Sequence, residues 1–236
     1  MGTRAIISVA SLVAIAVAVG VIWMRECGSQ RRLTESVARS VSAKLQGSLT
    51  QVAGQWRIDA VYEGRPVVLV LGGKFLARGG DMDSGSDFAP TLDIKTSCMT
   101  TAQLVVHYNF PPGAAGYTRD LLAKTRGSEV TTGAVDFDSR FLVESPVASD
   151  AAILDDQIRE RMLLSQSAVH GHSLAGHSWS IRIGDGSVEG HEAFNEGRQP
   201  VPAAEIASET LSRLGLLCAL AASAEQRKPG GSPATL

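Results

Sequence analysis

The residues with the most obvious capacity for chemistry are histidines. His170, His172, His177 and His191 are four of the five in the chain and lie within one short region. Imidazoles drawn from a loop and a hairpin could converge on zinc, nickel or copper. In His170-Gly171-His172, an extended backbone would turn both rings to one side. The bland reading is a surface loop, since glycine and serine surround these rings and no rigid helical i, i+4 pair holds them. A charge change of the cluster near neutral pH is a further reading. The acidic run at Asp81, Asp83 and Asp87 is the second metal candidate, with oxygen donors at near-alternate positions as in a calcium loop. It departs from that template where the sixth position is Ser86 instead of glycine and the twelfth is Leu92 instead of glutamate. A solvated acidic loop fits it better.

Other chemistries find little purchase. The segment from Ala77 to Pro90 and the histidine region contain no Gly-x-Ser-x-Gly elbow, and no glycine-rich phosphate loop precedes a Lys-Ser or Lys-Thr pair. Cys27, Cys98 and Cys218 form an odd, scattered set without CxxC spacing, the pattern of a reduced compartment rather than a disulfide framework. Cys98 reads as a small core filler. Asp136 and Asp138 could act as an acid pair only if a perturbed environment set them apart. No cofactor is implied, and an enzyme is not the favoured reading. A net charge of −2 and 5 % aromatics offer neither the basic face nor the stacking surface of a nucleic-acid binder.

The elements that would position these residues begin with an uncharged apolar run at residues 5–24, between Arg4 and Arg25. Its length matches the ~20 residues that span a hydrocarbon core. A signal peptide is disfavoured by that length and by Trp23-Met24-Arg25-Glu26, a poor cleavage site; the same residues make Cys27 a poor lipid acceptor. Arg25, Arg31, Arg32, Arg39 and Lys44 follow the run, against Arg4 before it. That bias places the following domain on the cytoplasmic side of a cell membrane, single-pass, with the bilayer as partner. The predicted organisation is a short tail at 1–4, a transmembrane helix at 5–24, a juxtamembrane linker and helix at 25–50, an α+β domain at 51–224 and a disordered tail at 225–236.

Within that plan, 27–32 reads as a polar connector. Thr34 would cap a helix whose buried stripe is Val37, Val41 and Leu45, with Leu33 just before the cap. Residues 55–71 read as a hairpin turning at Glu63-Gly64, stopped by Gly72-Gly73, with a return strand apolar on both faces. A loop at 77–90 leads to two strands, 92–96 and 103–108, joined around Cys98-Met99. Residues 109–116 are irregular because of Pro111-Pro112-Gly113, and a short helix could follow at 118–124. Asp136 to Val143 reads as a strand with Phe137, Phe141 and Val143 on one face. Ser149 would cap a helix to about Gln166, buried through Leu154, Ile158 and Met162. A second hairpin turns at Asp185-Gly186, and a last helix from 203 to 223 buries Ala207, Leu211, Leu214, Cys218 and Ala221. The architecture expected is α+β: β-hairpins packed with helices, behind one N-terminal membrane helix.

Thr132-Gly133, then Phe137-Asp138, Phe141 and Val143, then Leu163, Leu164 and the Asp185-Gly186 turn, resemble uncharacterised bacterial membrane-associated proteins of unknown function, some with transmembrane helices before this domain. The likeness covers the second half of the chain. It implies a membrane-tethered α+β domain and carries no catalytic residues. The functional expectation is a non-enzymatic interaction or scaffold domain with an unidentified protein partner; the alternative is a metal-binding or weakly enzymatic module built on His170–His191 or Asp81–Asp87.

Overall fold

The computed structural model describes residues 2–77, 86–108, 129–169, 180–193 and 202–226. The chain opens with α1 (Gly2–Leu45), an uninterrupted helix of 44 residues that would run roughly 66 Å at ~1.5 Å per residue. The connector expected at 27–32 is therefore helix. Glu26, Gln30, Arg31 and Arg32 are all good helix formers, and Gly28 alone, at about 1 kcal/mol, does not break it. Thr34 is accordingly an interior residue, its hydroxyl donating back to the Gln30 carbonyl, and not a cap. The stripe is as read: Val37 and Val41 are fully buried, with Leu33 and Leu45 packed against the same core.

The end of α1 is sharp. Gln46 sits at φ 53°, while Gly47 N–H donates to Ser42 O and Gln46 N–H to Ala43 O, a Schellman closure. A Cβ on Gly47 would lie 2.8 Å from Ala60 Cβ and 2.9 Å from Asp59 O. Only glycine lets the chain turn this tightly onto the sheet.

Eight antiparallel strands follow: β1 (Ser48–Val52), β2 (Gln55–Tyr62), β3 (Arg65–Ala77), β4 (Ser86–Ser97), β5 (Leu104–Tyr108), β6 (Phe141–Glu144), β7 (Ser180–Gly184) and β8 (Ser187–Ala193). Their spatial order is β1-β2-β3-β4-β8-β7-β5-β6. The fold is α+β. The hairpins turning at Glu63-Gly64 and Asp185-Gly186 are present, and a third turns at Ala53-Gly54; in each pair both residues have positive φ, the backbone of a two-residue type I′ turn. Several readings need correction. The sheet starts at Ser48, inside the stretch assigned to the juxtamembrane linker. Gly72-Gly73 do not end β3, which stays paired with β4 through them to Ala77; a Cβ on Gly72 would lie 2.7 Å from Gln55 Nε2. Strand β4 likewise begins at Ser86, so 86–90 are not loop. β4 and β5 are joined through Cys98-Met99 as read, and the β7–β8 hairpin lies between them in the sheet.

The smaller helices are α2 (Val135–Asp138), a 3-10 segment (Ala148–Ile153), α3 (Asp156–Val169) and α4 (Ala203–Gln226). The strand expected from Asp136 is thus a helical turn followed by β6, and Phe137 is buried from a helix. Asp155, not Ser149, caps α3, its carboxylate accepting from Ile158 N–H. Leu154, Ile158 and Met162 are buried as read. Helix α4 extends to Gln226, so residues 225 and 226 belong to the domain; Glu225 pairs with Arg65 at 2.5 Å and accepts from Met99 N–H. The readings at 109–116 and 118–124, and the tail from 227, fall outside the described residues.

The core lies on one side of the sheet. Ile58 of β2, Val67, Leu69 and Leu71 of β3, Leu92 and Ile94 of β4, Val188 of β8 and Ile181 and Ile183 of β7 point to it. Val37, Ala38 and Val41 of α1, Ile158 and Met162 of α3 and the apolar face of α4 complete one cluster. Each of the Val, Leu, Ile and Met side chains contributes about 1.5–3 kcal/mol by leaving water. Among the described residues α4 is the helix long and apolar enough to cross a membrane by length and composition. Its Leu214, Leu216, Leu217, Leu220 and Ala221 are buried in this core.

Candidate functional site

Strand alternation sends a second set of side chains to the opposite face. Val68 and Val70 of β3 lie there, so that strand is apolar on both faces, but its second face is only half covered. Cross-strand register aligns Arg57, Val70, Asp93, His191 and Ser180 in one row, and Asp59, Val68, Lys95, Glu189 and Arg182 in the next. All of these but Asp59 floor an open concavity of about 430 Å³. Most of its charges are matched across or along the strands: Arg57 with Asp59 at 2.7 Å, Lys95 with Glu189 at 2.6 Å, and Arg182 with Asp185 at 3.1 Å. Lys95 and Arg57 each hold their carboxylate partner below the usual range. Such exposed pairs add little stability, with a median near 0–1 kcal/mol. They define a polar, charge-alternating surface.

His191 is the chemically distinctive member. Its Nδ1 contacts Asp93 Oδ1 from the neighbouring strand, which fixes the ring and leaves Nε2 for another partner. Ser180, the cross-strand partner of His191 on β7, completes the residue types of a hydrolytic triad. Its hydroxyl makes no hydrogen bond to the imidazole, and it stands in a strand instead of on a sharp turn that would expose a nucleophile. The row supplies an oriented base without an assembled nucleophile.

The sequence-derived metal candidates meet here only in part. His191 is placed; His170, His172 and His177 lie outside the described residues, as do Asp81 and Asp83. Asp87 belongs to β4, opposite Leu76, so its backbone is sheet and not donor loop. Among the described residues no three His, Cys, Asp or Glu side chains converge on a point. Asp136 and Asp138 do not form an acid pair. Asp138 instead accepts from Thr132 N–H at 3.0 Å, Thr132 Oγ1 at 2.8 Å and Gly133 N–H at 3.0 Å, which folds the Thr-Gly segment onto α2. All three cysteines are free. Cys98 is buried against Ala221 O, and burial pushes its thiol up to about 11, so it is inert as a nucleophile.

Beneath the sheet, directly behind His191, lies a charged group that the sequence reading did not single out. Glu192 and Arg213 are both buried and pair at 2.9 Å. They border a cavity of about 10 Å³, at most the size for one water. One helical turn earlier on α4, burial pushes the Glu209 carboxyl up to about 7; Glu192 and Glu205 add to the rise and Arg213 opposes it. A carboxyl whose folded pKa exceeds its unfolded value stabilises fully below the unfolded value, near 4.5, and loses that contribution as pH rises through about 7. Stability is therefore expected to fall between about pH 5 and pH 8, by about 1–2 kcal/mol once solvent screening of this half-buried group is allowed for. Glu209→Gln should flatten that slope in urea titrations at the two pH values. An unchanged slope would place the titration elsewhere.

Comparison with protein-family models, with curated proteins and with solved structures returned no match. Within the Thr132–Val143 segment, Thr132, Gly133, Phe137, Asp138 and Phe141 have structural roles.

Proposed function

We propose that the chain is a membrane-anchored protein in which residues 5–24 cross the bilayer once. The α+β domain then acts at the cytoplasmic surface as a non-enzymatic interaction or scaffold module. The observation that carries this reading is the course of α1. Its apolar stretch continues without a break into the segment that docks on the core. Among the described side chains, burial begins only at Thr34, whereas Val17, Val21 and Met24 are exposed by 59 %, 42 % and 62 %. Large apolar side chains left this open on a helix face are suited to lipid, and an uncharged run of ~20 residues is long enough to span it. Arg25, Arg31 and Arg32 follow directly and favour the cytoplasmic side. The charge-patterned outer face then serves as the surface a partner reads.

The test is extraction with alkaline carbonate together with a C-terminal reporter active only outside the cytoplasm. Retention in the membrane with a silent reporter is expected. Release by carbonate would remove the anchor, and an active reporter would reverse the orientation.

A second reading, a metal-binding or weakly enzymatic module, is favoured by the Asp93–His191 contact in the open concavity. Calorimetric titration of the purified chain with zinc and calcium tests it. Uptake at micromolar metal that His191→Ala abolishes would support it over the first.

A further inference from the structure

The two edges of the sheet are finished differently. At β6 the edge is occupied: Val130 N–H donates to Val143 O and Glu129 bridges to Glu144. At the other edge, among the described residues, nothing pairs with β1. All its residues but Leu49 are exposed, and Ser-Leu-Thr-Gln-Val carries no charge, proline or bulge, the devices by which sheet edges avoid pairing. The two-residue turn makes Val52 and Gln55 a hydrogen-bonded pair, so bonding to β2 alternates from there and the N–H and C=O groups of Leu49 and Gln51 face outward.

That spacing is self-complementary. We propose that β1 pairs with β1 of a second copy of this chain, antiparallel and centred on Thr50, joining two sheets into one. About that centre, Leu49 of one copy exchanges ladder bonds with Gln51 of the other, and the two Thr50 side chains meet in a non-hydrogen-bonded pair. An uncharged strand meets no like-charge repulsion in pairing with itself. With β6 occupied the contact closes as a two-fold dimer and does not propagate. The pairing rests on the proposed anchor only for its strength, because tethering raises the effective concentration of so short an interface.

The test uses the full chain with Cys27→Ser, in lipid vesicles and separately in detergent micelles. Thr50→Cys should form a disulfide dimer under mild oxidation, since non-hydrogen-bonded partners stand at a separation a disulfide spans. Ser48→Cys and Val52→Cys should each cross-link poorly alone but well when mixed. Adding Thr50→Lys to both of the mixed chains should lower that yield about fivefold through like charges placed opposite each other. Equal yields at all three positions, or no dimer in either medium, would overturn the pairing. Vesicle flotation of the same samples reports the anchor independently, so a floating but monomeric chain refutes this inference alone.

Discussion

Replacing Arg213 with methionine is expected to cost the fold about 3–5 kcal/mol, the usual penalty for stranding one partner of a buried ion pair. Arg213 and Glu192 have side chains only 5 % and 9 % exposed, so the carboxylate left behind would face Leu92, Ile94, Ile181 and Leu217 with little water. Around it α4 presses close to the sheet: a Cβ on Gly190 would lie 3.1 Å from Leu217, so the interface has little room to relax. Urea unfolding of the full chain should show a lower midpoint at an unchanged slope. Adding Glu192→Leu should recover most of the loss, because apolar replacement of the whole pair is often neutral or better. A single variant within about 1 kcal/mol of the parent would mean that water reaches the carboxylate.

Local order was legible in the sequence where local chemistry determined it. Glu63-Gly64 and Asp185-Gly186 put glycine where a type I′ turn needs positive φ, and Trp56, Ile58 and Tyr62 alternate with Arg57, Asp59 and Val61 along β2. The Ala53-Gly54 turn escaped because alanine carries no turn signal, although it adopts φ 50°, and β1 went with it. Leu154, Ile158 and Met162 declared a buried stripe through spacing alone. Strand order did not show, since no local signal says that the β7–β8 hairpin inserts between β4 and β5. The candidate site suffered for the same reason. His191 stands out by type, but its partner Asp93 is 98 residues away, and nothing local marks Glu192 beside it as buried. The spacing of Glu209 and Arg213 on α4 carries no mark of burial. Packing of α4 against β8 makes them a buried charge group.

The second large effect is expected at Phe137. Phe137 is fully buried and stacks on Phe141 with ring centroids 4.5 Å apart. Truncation to alanine should cost about 3–5 kcal/mol, the range for losing a buried aromatic and leaving a cavity. It reaches the core from the single turn α2, which a strand reading of the same residues would not require. The distinction is measurable through Asp138. If α2 is held by the bonds from Asp138 to Thr132 and Gly133, Asp138→Ala should cost about 1–3 kcal/mol, since the acceptor for these donors disappears. The two losses should then fall short of adding, because Asp138 fixes the turn that seats Phe137. A strand with both aspartates on its wet face predicts instead that Asp138→Ala is nearly silent. Strict additivity in the double variant would likewise uncouple the Thr-Gly segment from the core.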